Sequence, residues 1–159
     1  MIFVTVGAQM PFDRLVGAVD DWAGRSGRDD VLAQIGPSRL RPRHLRVAGF
    51  MDPPRFRETV AAAQVVVAHA GMGTILTALE LGTPVLVFPR RAALGETRND
   101  HQVATAAHFA ERGLVVAAMR EDELPGALER VQHASAAGCI APQASPELLE
   151  RIRRFVEAA

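Results

Sequence analysis

Val65–Val66–Val67–Ala68–His69–Ala70–Gly71–Met72–Gly73–Thr74 carries an unbroken apolar run into a histidine and a Gly-x-Gly turn. A short β-branched run bounded by a turn signal fits a strand buried on both faces, as in a parallel sheet. The segment beyond the turn predicts a helix from about Thr74 to Leu81. Such a helix start presents backbone N–H groups without intrahelical partners and the positive end of the helix dipole, so it suits a phosphate or diphosphate. Gly71 and Gly73 let an anion approach the backbone where a Cβ would obstruct it. Glu80–Leu81–Gly82–Thr83–Pro84 then closes the helix, and Val85–Phe88 begins another buried strand.

Outward from this unit, strands and helices alternate. Ile2–Val6, Val31–Ile35, Leu45–Phe50 and Leu114–Ala117 read as further strands. Phe12 to Trp22 places apolar residues at 12, 15, 16, 19 and 22, a helical spacing. Pro53–Pro54 opens a helix to about Ala63. His101–Arg112 and Glu121–Gln132 read as helices, and Ser145–Pro146–Glu147 is an N-cap signature for a last helix to Ala158. The order implies an α/β fold, a doubly wound parallel sheet of Rossmann-like type in which ligands bind at the carboxyl ends of the strands. One domain is expected over residues 1–159, with a flexible connection over 130–145 and a terminal helix over 146–158. Within the connection, Cys139 reads as a small bystander residue.

Composition removes several functions. The 159 residues carry 18 basic and 18 acidic side chains, a balance that gives no electrostatic support for a nucleic-acid partner. All the basic residues are arginine. Without lysine there is no Walker-type loop and no Schiff-base chemistry. A single cysteine, Cys139, permits neither an internal disulfide nor a cysteine-rich metal site. No apolar run approaches the roughly 18 residues of a spanning helix, and Met1–Val6 enters a strand without a signal-peptide pattern. The chain is therefore expected in the cytoplasm with no direct membrane span.

Rival motifs fail on spacing. A dinucleotide fingerprint through Gly71 and Gly73 would need a small residue at 76, where Leu76 stands. The serines at 26, 38, 135 and 145 form no nucleophile elbow, and His101 and His108 alone make no metal site. The second informative segment is Pro89 to Gln102, a long loop ending in Asn99–Asp100–His101–Gln102. Alone it reads as a solvated loop with Asn99 or Asp100 as helix N-cap. Beside a phosphate cradle it offers donors and acceptors for sugar hydroxyls.

Taken together, these segments resemble the glycosyltransferase 28 C-terminal domain, the donor-binding half of GT-B glycosyltransferases. Within that family the chain looks most like short, free-standing members. These are the catalytic subunit of the two-component dolichol-linked N-acetylglucosamine transferase and the small subunits of bacterial exopolysaccharide glycosyltransferases. Met1–Gln9 with Pro11–Leu15 is similar to their opening signature, and His69–Thr74, Gly82-x-Pro84 and Asn99–Gln102 match in order and spacing over roughly residues 1–130. Pro89–Arg90 with Gly95–Glu96 looks more like the exopolysaccharide branch. Many relatives carry a ribose-binding Glu eight residues after the histidine; here that position is Thr77, and Glu80 lies one turn later as its possible substitute.

The resemblance implies a UDP-sugar as substrate and transfer of a hexose-type sugar in polysaccharide biosynthesis, without a cofactor or a metal. His69 is the expected catalytic residue, bonding a phosphate oxygen or the sugar. Gly7 and Gln9 flank the diphosphate with Gly71, Gly73 and Thr74. Met51 reads the uracil through backbone groups, either Thr77 or Glu80 meets the ribose, and Glu96, Asp100, His101 and Gln102 serve the sugar. No base for the acceptor hydroxyl is evident. The missing half is expected from a membrane-anchored, acceptor-binding subunit that recruits this chain to the membrane, and the isolated chain is expected to expose apolar residues and self-associate. The alternative is a non-enzymatic nucleotide-sugar-binding or regulatory module.

Overall fold

A computed structural model describes residues 1–134, 140–141 and 143–157. Six parallel strands form one sheet: β1 (Ile2–Thr5), β2 (Val31–Gln34), β3 (Arg46–Ala48), β4 (Val65–Ala68), β5 (Val85–Val87) and β6 (Val116–Ala117). Their spatial order is β3-β2-β1-β4-β5-β6. The sequence direction reverses between β1 and β4, and the crevice beyond that point is where doubly wound sheets bind ligands.

Alternation along each strand feeds two cores. Ile2, Val4, Val31, Ala33, Val65 and Val67 turn to one face, with Leu15, Val19 and Trp22 of α1 (Asp13–Ser26) and Leu124, Leu128 and Val131 of α5 (Leu124–His133). Phe3, Val66, Ala68 and Val87 turn to the other. There they meet Val60 of α2 (Pro53–Ala62), Ile75 and Leu79 of α3 (Met72–Leu81) and Ala106 of α4 (His101–Glu111). The central strands β1, β2, β4 and β5 are largely apolar because both faces are covered, with Thr5 and Gln34 at the carboxyl ends of β1 and β2, while the edge strand β3 leaves Arg46 and Val47 exposed.

Several boundaries differ from the sequence expectation. Helix α1 continues to Ser26 and ends on Gly27 at φ 62°, a left-handed cap that glycine adopts without strain. Helix α3 begins at Met72, not Thr74, with Gly71 as its N-cap residue. The predicted strand Leu45–Phe50 contracts to Arg46–Ala48, a short edge strand, and Leu114–Ala117 contracts to Val116–Ala117. The Pro89–Asp100 loop includes a 3₁₀ turn at Ala92–Leu94, and Glu121–Glu123 is a 3₁₀ turn ahead of α5.

The expected flexible connection over 130–145 is helical through His133, and Ile140 N–H donates to Leu79 O at 3.3 Å. The rest of that reading, including Cys139, and the expected helix end at Ala158 lie outside the described residues. Ser145 Oγ accepts from Leu148 N–H at 3.3 Å and so caps α6 (Pro146–Glu157). Leu148, Leu149, Ile152, Phe155 and Val156 of α6 fall at one helical spacing and are all exposed. Among the described residues no helix is long and apolar enough to cross a membrane.

Candidate functional site

Two clefts open at the carboxyl ends of the strands and meet at Gly7, Ala8 and His69. The first, about 560 Å³, runs from the N-terminus of α3 towards α2 and is walled on its far side by Phe50, Met51 and Phe56. The second, about 340 Å³, lies towards α4 and is lined by Gln9, Thr97, His101 and Gln102.

The first turn of α3 faces the junction. Its first helical bond is Ile75 N–H to Gly71 O at 3.1 Å. The N–H groups of Met72, Gly73 and Thr74 therefore have no acceptor within the helix. Gly73 lies inside that turn, lines the first cleft and has no heavy atom within 4 Å of where a Cβ would stand. Open space above free N–H groups at a helix N-terminus suits an anion.

His69 closes the junction. It sits at the end of β4, and its backbone N–H donates to Thr5 O at 3.3 Å. The imidazole is wedged between two glycines. A Cβ on Gly7 would lie 2.9 Å from His69 Cε1, and one on Gly71 would collide with Nε2. Gly7 is also held at φ 77°, where other residues are strained. These two glycines thus make room for the ring.

Burial, and secondarily the charge of Arg90, push the His69 pKa down to about 4, so the ring is neutral at ordinary pH. Nδ1 is sealed without a hydrogen-bond partner. A bare ring nitrogen tolerates that better than an N–H would, which places the proton on Nε2, beside Gly71. His69 therefore offers the junction a neutral N–H donor.

A scaffold behind the second cleft fixes its loops. Arg90, 4% exposed, donates to Pro11 O at 2.7 Å and to Val6 O and Met10 O at 2.9 Å. Its guanidinium lies 4.4 Å from the centre of the Phe12 ring, and its backbone N–H donates to Gln102 Oε1 at 3.2 Å. Arg14 packs 4.3 Å over Phe88 and grips Glu96 with bonds of 2.7 and 2.8 Å. The motifs did not signal Arg14 or Arg90 as organisers, because most of their acceptors are backbone carbonyls and a distant carboxylate.

The expected site residues divide accordingly. Met51, Gly71, Gly73, Thr74 and Thr77 line the first cleft, Gln9, His101 and Gln102 the second, and Gly7 and His69 both. Thr77 returns its hydroxyl to Gly73 O at 2.8 Å. The carboxylates stand apart. Glu80 pairs with Arg57 at 2.8 Å, Glu96 is held by Arg14 and Arg91 N–H, and Asp100 accepts from Ala92 N–H at 2.8 Å. Among the described residues no Asp or Glu lines either cleft. At the start of α4, Asn99 rather than Asp100 accepts from His101 N–H, at 3.2 Å, and Asn99 Oδ1 also contacts His101 Nδ1. Among the described residues no group of three His, Cys, Asp or Glu is gathered that could hold a metal ion.

Residues 1–156 match the family model described as "Glycosyltransferase family 28 C-terminal domain". The chain is 32% identical over 92 residues to the UDP-N-acetylglucosamine–N-acetylmuramyl-(pentapeptide) pyrophosphoryl-undecaprenol N-acetylglucosamine transferase of Bifidobacterium adolescentis, covering 58% of this chain and 22% of that protein. It is 31% identical over 121 residues to UDP-N-acetylglucosamine transferase subunit ALG13 of Mus musculus, covering 70% of this chain and 10% of that one. The chain thus spans only a minor part of both relatives. The solution structure of ALG13 superposes with a TM-score of 0.62 at 23% identity, over 96% of this chain and 94% of that one. The structural neighbours are GT-B glycosyltransferases.

Proposed function

The chain belongs to the glycosyltransferase family 28 C-terminal domain family, and from that premise we propose that it is the donor-binding, catalytic subunit of a two-component transferase using a UDP-sugar. The observation that carries this reading is the junction itself, where free N–H groups of α3 and the neutral His69 donor converge between two clefts of different character. The apolar wall of Phe50, Met51 and Phe56 suits the base. The α3 N-terminus suits the diphosphate, and Gln9, His101 and Gln102 suit the hydroxyls of the sugar.

Transfer breaks the bond between the anomeric carbon and the diphosphate, and negative charge builds on the departing UDP. Fixed N–H dipoles at Met72–Thr74 stabilise that charge without reorganising, and exclusion of carboxylates from both clefts keeps the potential favourable. This scheme calls on no metal ion. His69 Nε2–H donates to a phosphate oxygen or to the sugar as the bond breaks.

The acceptor hydroxyl must lose a proton, and the linings contain no carboxylate to receive it. We assign that base to a second, acceptor-binding subunit. Exposed apolar residues support such a partner: Met10, Phe50, Met72, Leu76 and Leu94 rim the strand ends, and α6 leaves its stripe uncovered. The acceptor in this reading is a lipid-linked glycan of polysaccharide biosynthesis. The partner is membrane-anchored and recruits this chain to the cytoplasmic face.

The deciding experiment is a titration of UDP against the wild type and Gly73→Val. A Cβ at this position has no heavy atom of the surrounding protein within 4 Å and stands where the diphosphate would approach, so UDP affinity should fall at least tenfold in a folded variant. Equal affinity would sink the proposed site. Transfer should then appear only when the partner subunit is added.

A further inference from the structure

A short polar relay crosses the floor of the first cleft and ends on a group with nothing to bind. Thr5 and Gln34 are register partners at the carboxyl ends of β1 and β2, and both are buried, at 0% and 5% exposure. Gly7 N–H approaches Thr5 Oγ1 at 3.4 Å, and the Thr5 hydroxyl donates to Gln34 Oε1 at 2.6 Å. That bond fixes the carboxamide with its oxygen towards β1 and its nitrogen away from it.

No described residue accepts from Gln34 Nε2. Among the described residues the sealed side-chain atoms without a hydrogen-bond partner are Arg14 Nη1, which pairs with Glu121 Oε2 at 3.6 Å, and His69 Nδ1, so Gln34 Nε2 is not sealed; it opens on the cleft that Gln34 lines. In the open cleft this donor is left to solvent. A ligand that fills the cleft displaces that solvent, and an N–H₂ left unmatched then weakens binding. A matched one adds a hydrogen bond from a side chain already ordered by its neighbours, with little further entropy to lose.

Position selects the ligand atom. Gln34 lies on β2, between the Phe50–Met51 wall that follows β3 and the β1 and β4 ends that carry the diphosphate junction. We propose that Gln34 is a nucleotide-contacting residue whose carboxamide nitrogen donates to an acceptor oxygen of the nucleoside, with Thr5 as the residue that orients it. This rests on the nucleotide-sugar reading of the site. It adds a side-chain contact to the nucleoside on the β2 side of the cleft, opposite Thr77.

The test titrates UDP and inorganic pyrophosphate separately against wild type, Gln34→Leu, Gln34→Glu and Thr5→Val, with circular dichroism and melting to confirm folding. Gln34→Glu keeps the size and the oxygen that Thr5 bonds while removing the donor, so it stays informative if Gln34→Leu fails to fold. Gln34→Leu should weaken UDP about tenfold and leave pyrophosphate within twofold; Gln34→Glu should weaken UDP at least as much, its carboxylate also opposing pyrophosphate, and Thr5→Val should weaken UDP by a smaller factor. UDP affinity within twofold of wild type in a folded Gln34→Glu overturns the proposal. So does an equal loss of UDP and pyrophosphate in the uncharged Gln34→Leu, which would put the contact on the phosphates. A wild type that binds pyrophosphate but not UDP overturns the nucleotide-sugar reading itself, and this contact with it.

Discussion

Acidification should destabilise this fold through His69, by an amount the structure fixes. In the folded chain the imidazole titrates at about 4, against an ordinary value of 6.5, chiefly because burial penalises the charged ring and secondarily because Arg90 repels it. The folded state thus binds the proton less readily than the unfolded one. The stabilisation is fully present above pH 6.5 and is lost as the pH falls from there towards 4. Between pH 7.5 and pH 5.0 the linkage amounts to about 2 kcal/mol. The measurement is a difference between two proteins, so that contributions from the rest of the chain cancel. Urea unfolding of wild type and His69→Gln is followed at both pH values, and the wild type should lose about 2 kcal/mol more than the variant, a midpoint change of order 1 M. Equal losses in the two proteins would refute a buried, neutral His69.

Gly71→Ala should destabilise the wild type by about 1–3 kcal/mol, because its Cβ would meet His69 Nε2. The same change in a His69→Ala background should cost almost nothing, and a double-mutant cycle without coupling would show that the ring does not require the glycine. Glu96→Gln should cost about 3 kcal/mol by calorimetry, since Glu96 and Arg14 are 13% and 11% exposed and bonded twice; a loss under about 1 kcal/mol would remove its scaffold role. Gln102→Ala leaves the Arg90 N–H without its acceptor, so it should cost about 1–2 kcal/mol of stability and lower transfer at least tenfold in the reconstituted system.

The sheet was legible because its strands are buried on both faces and read as short apolar runs, with turns marked by Gly7, Gly36 and Gly71. The junction was legible because a Gly-x-Gly turn after such a strand has one physical use at a helix start. The register of that helix was not. Gly73 is a poor helix former, and only the bond from Ile75 N–H to Gly71 O shows that Met72 and Gly73 lie inside α3. The reason for two glycines was also hidden. Gly7 and Gly71 flank one imidazole across 64 residues of sequence, a packing relation that no local pattern records. Glu80 and Glu96 looked available because their partners, Arg57 and Arg14, lie 23 and 82 residues away. Gln34 looked like a strand end, and only the Thr5 hydroxyl shows which way its amide is turned.

The distribution of charge decides what this chain could offer an anion without lysine. Arg90 and Arg14, the arginines behind the second cleft, are engaged by carbonyls and by Glu96. They stiffen the loops and cannot swing onto a ligand. Burial, with the charge of Arg90 second, keeps His69 neutral. What remains for a diphosphate is the fixed N–H array of α3, already aimed and already stripped of competing carboxylates. Dipoles that need no rearrangement favour the more highly charged leaving group over the bound substrate. Under the proposed function such a site would stabilise departure of the nucleotide, while its described lining holds no carboxylate to activate the attacking hydroxyl. That division of labour is why the second half of the reaction points to another chain.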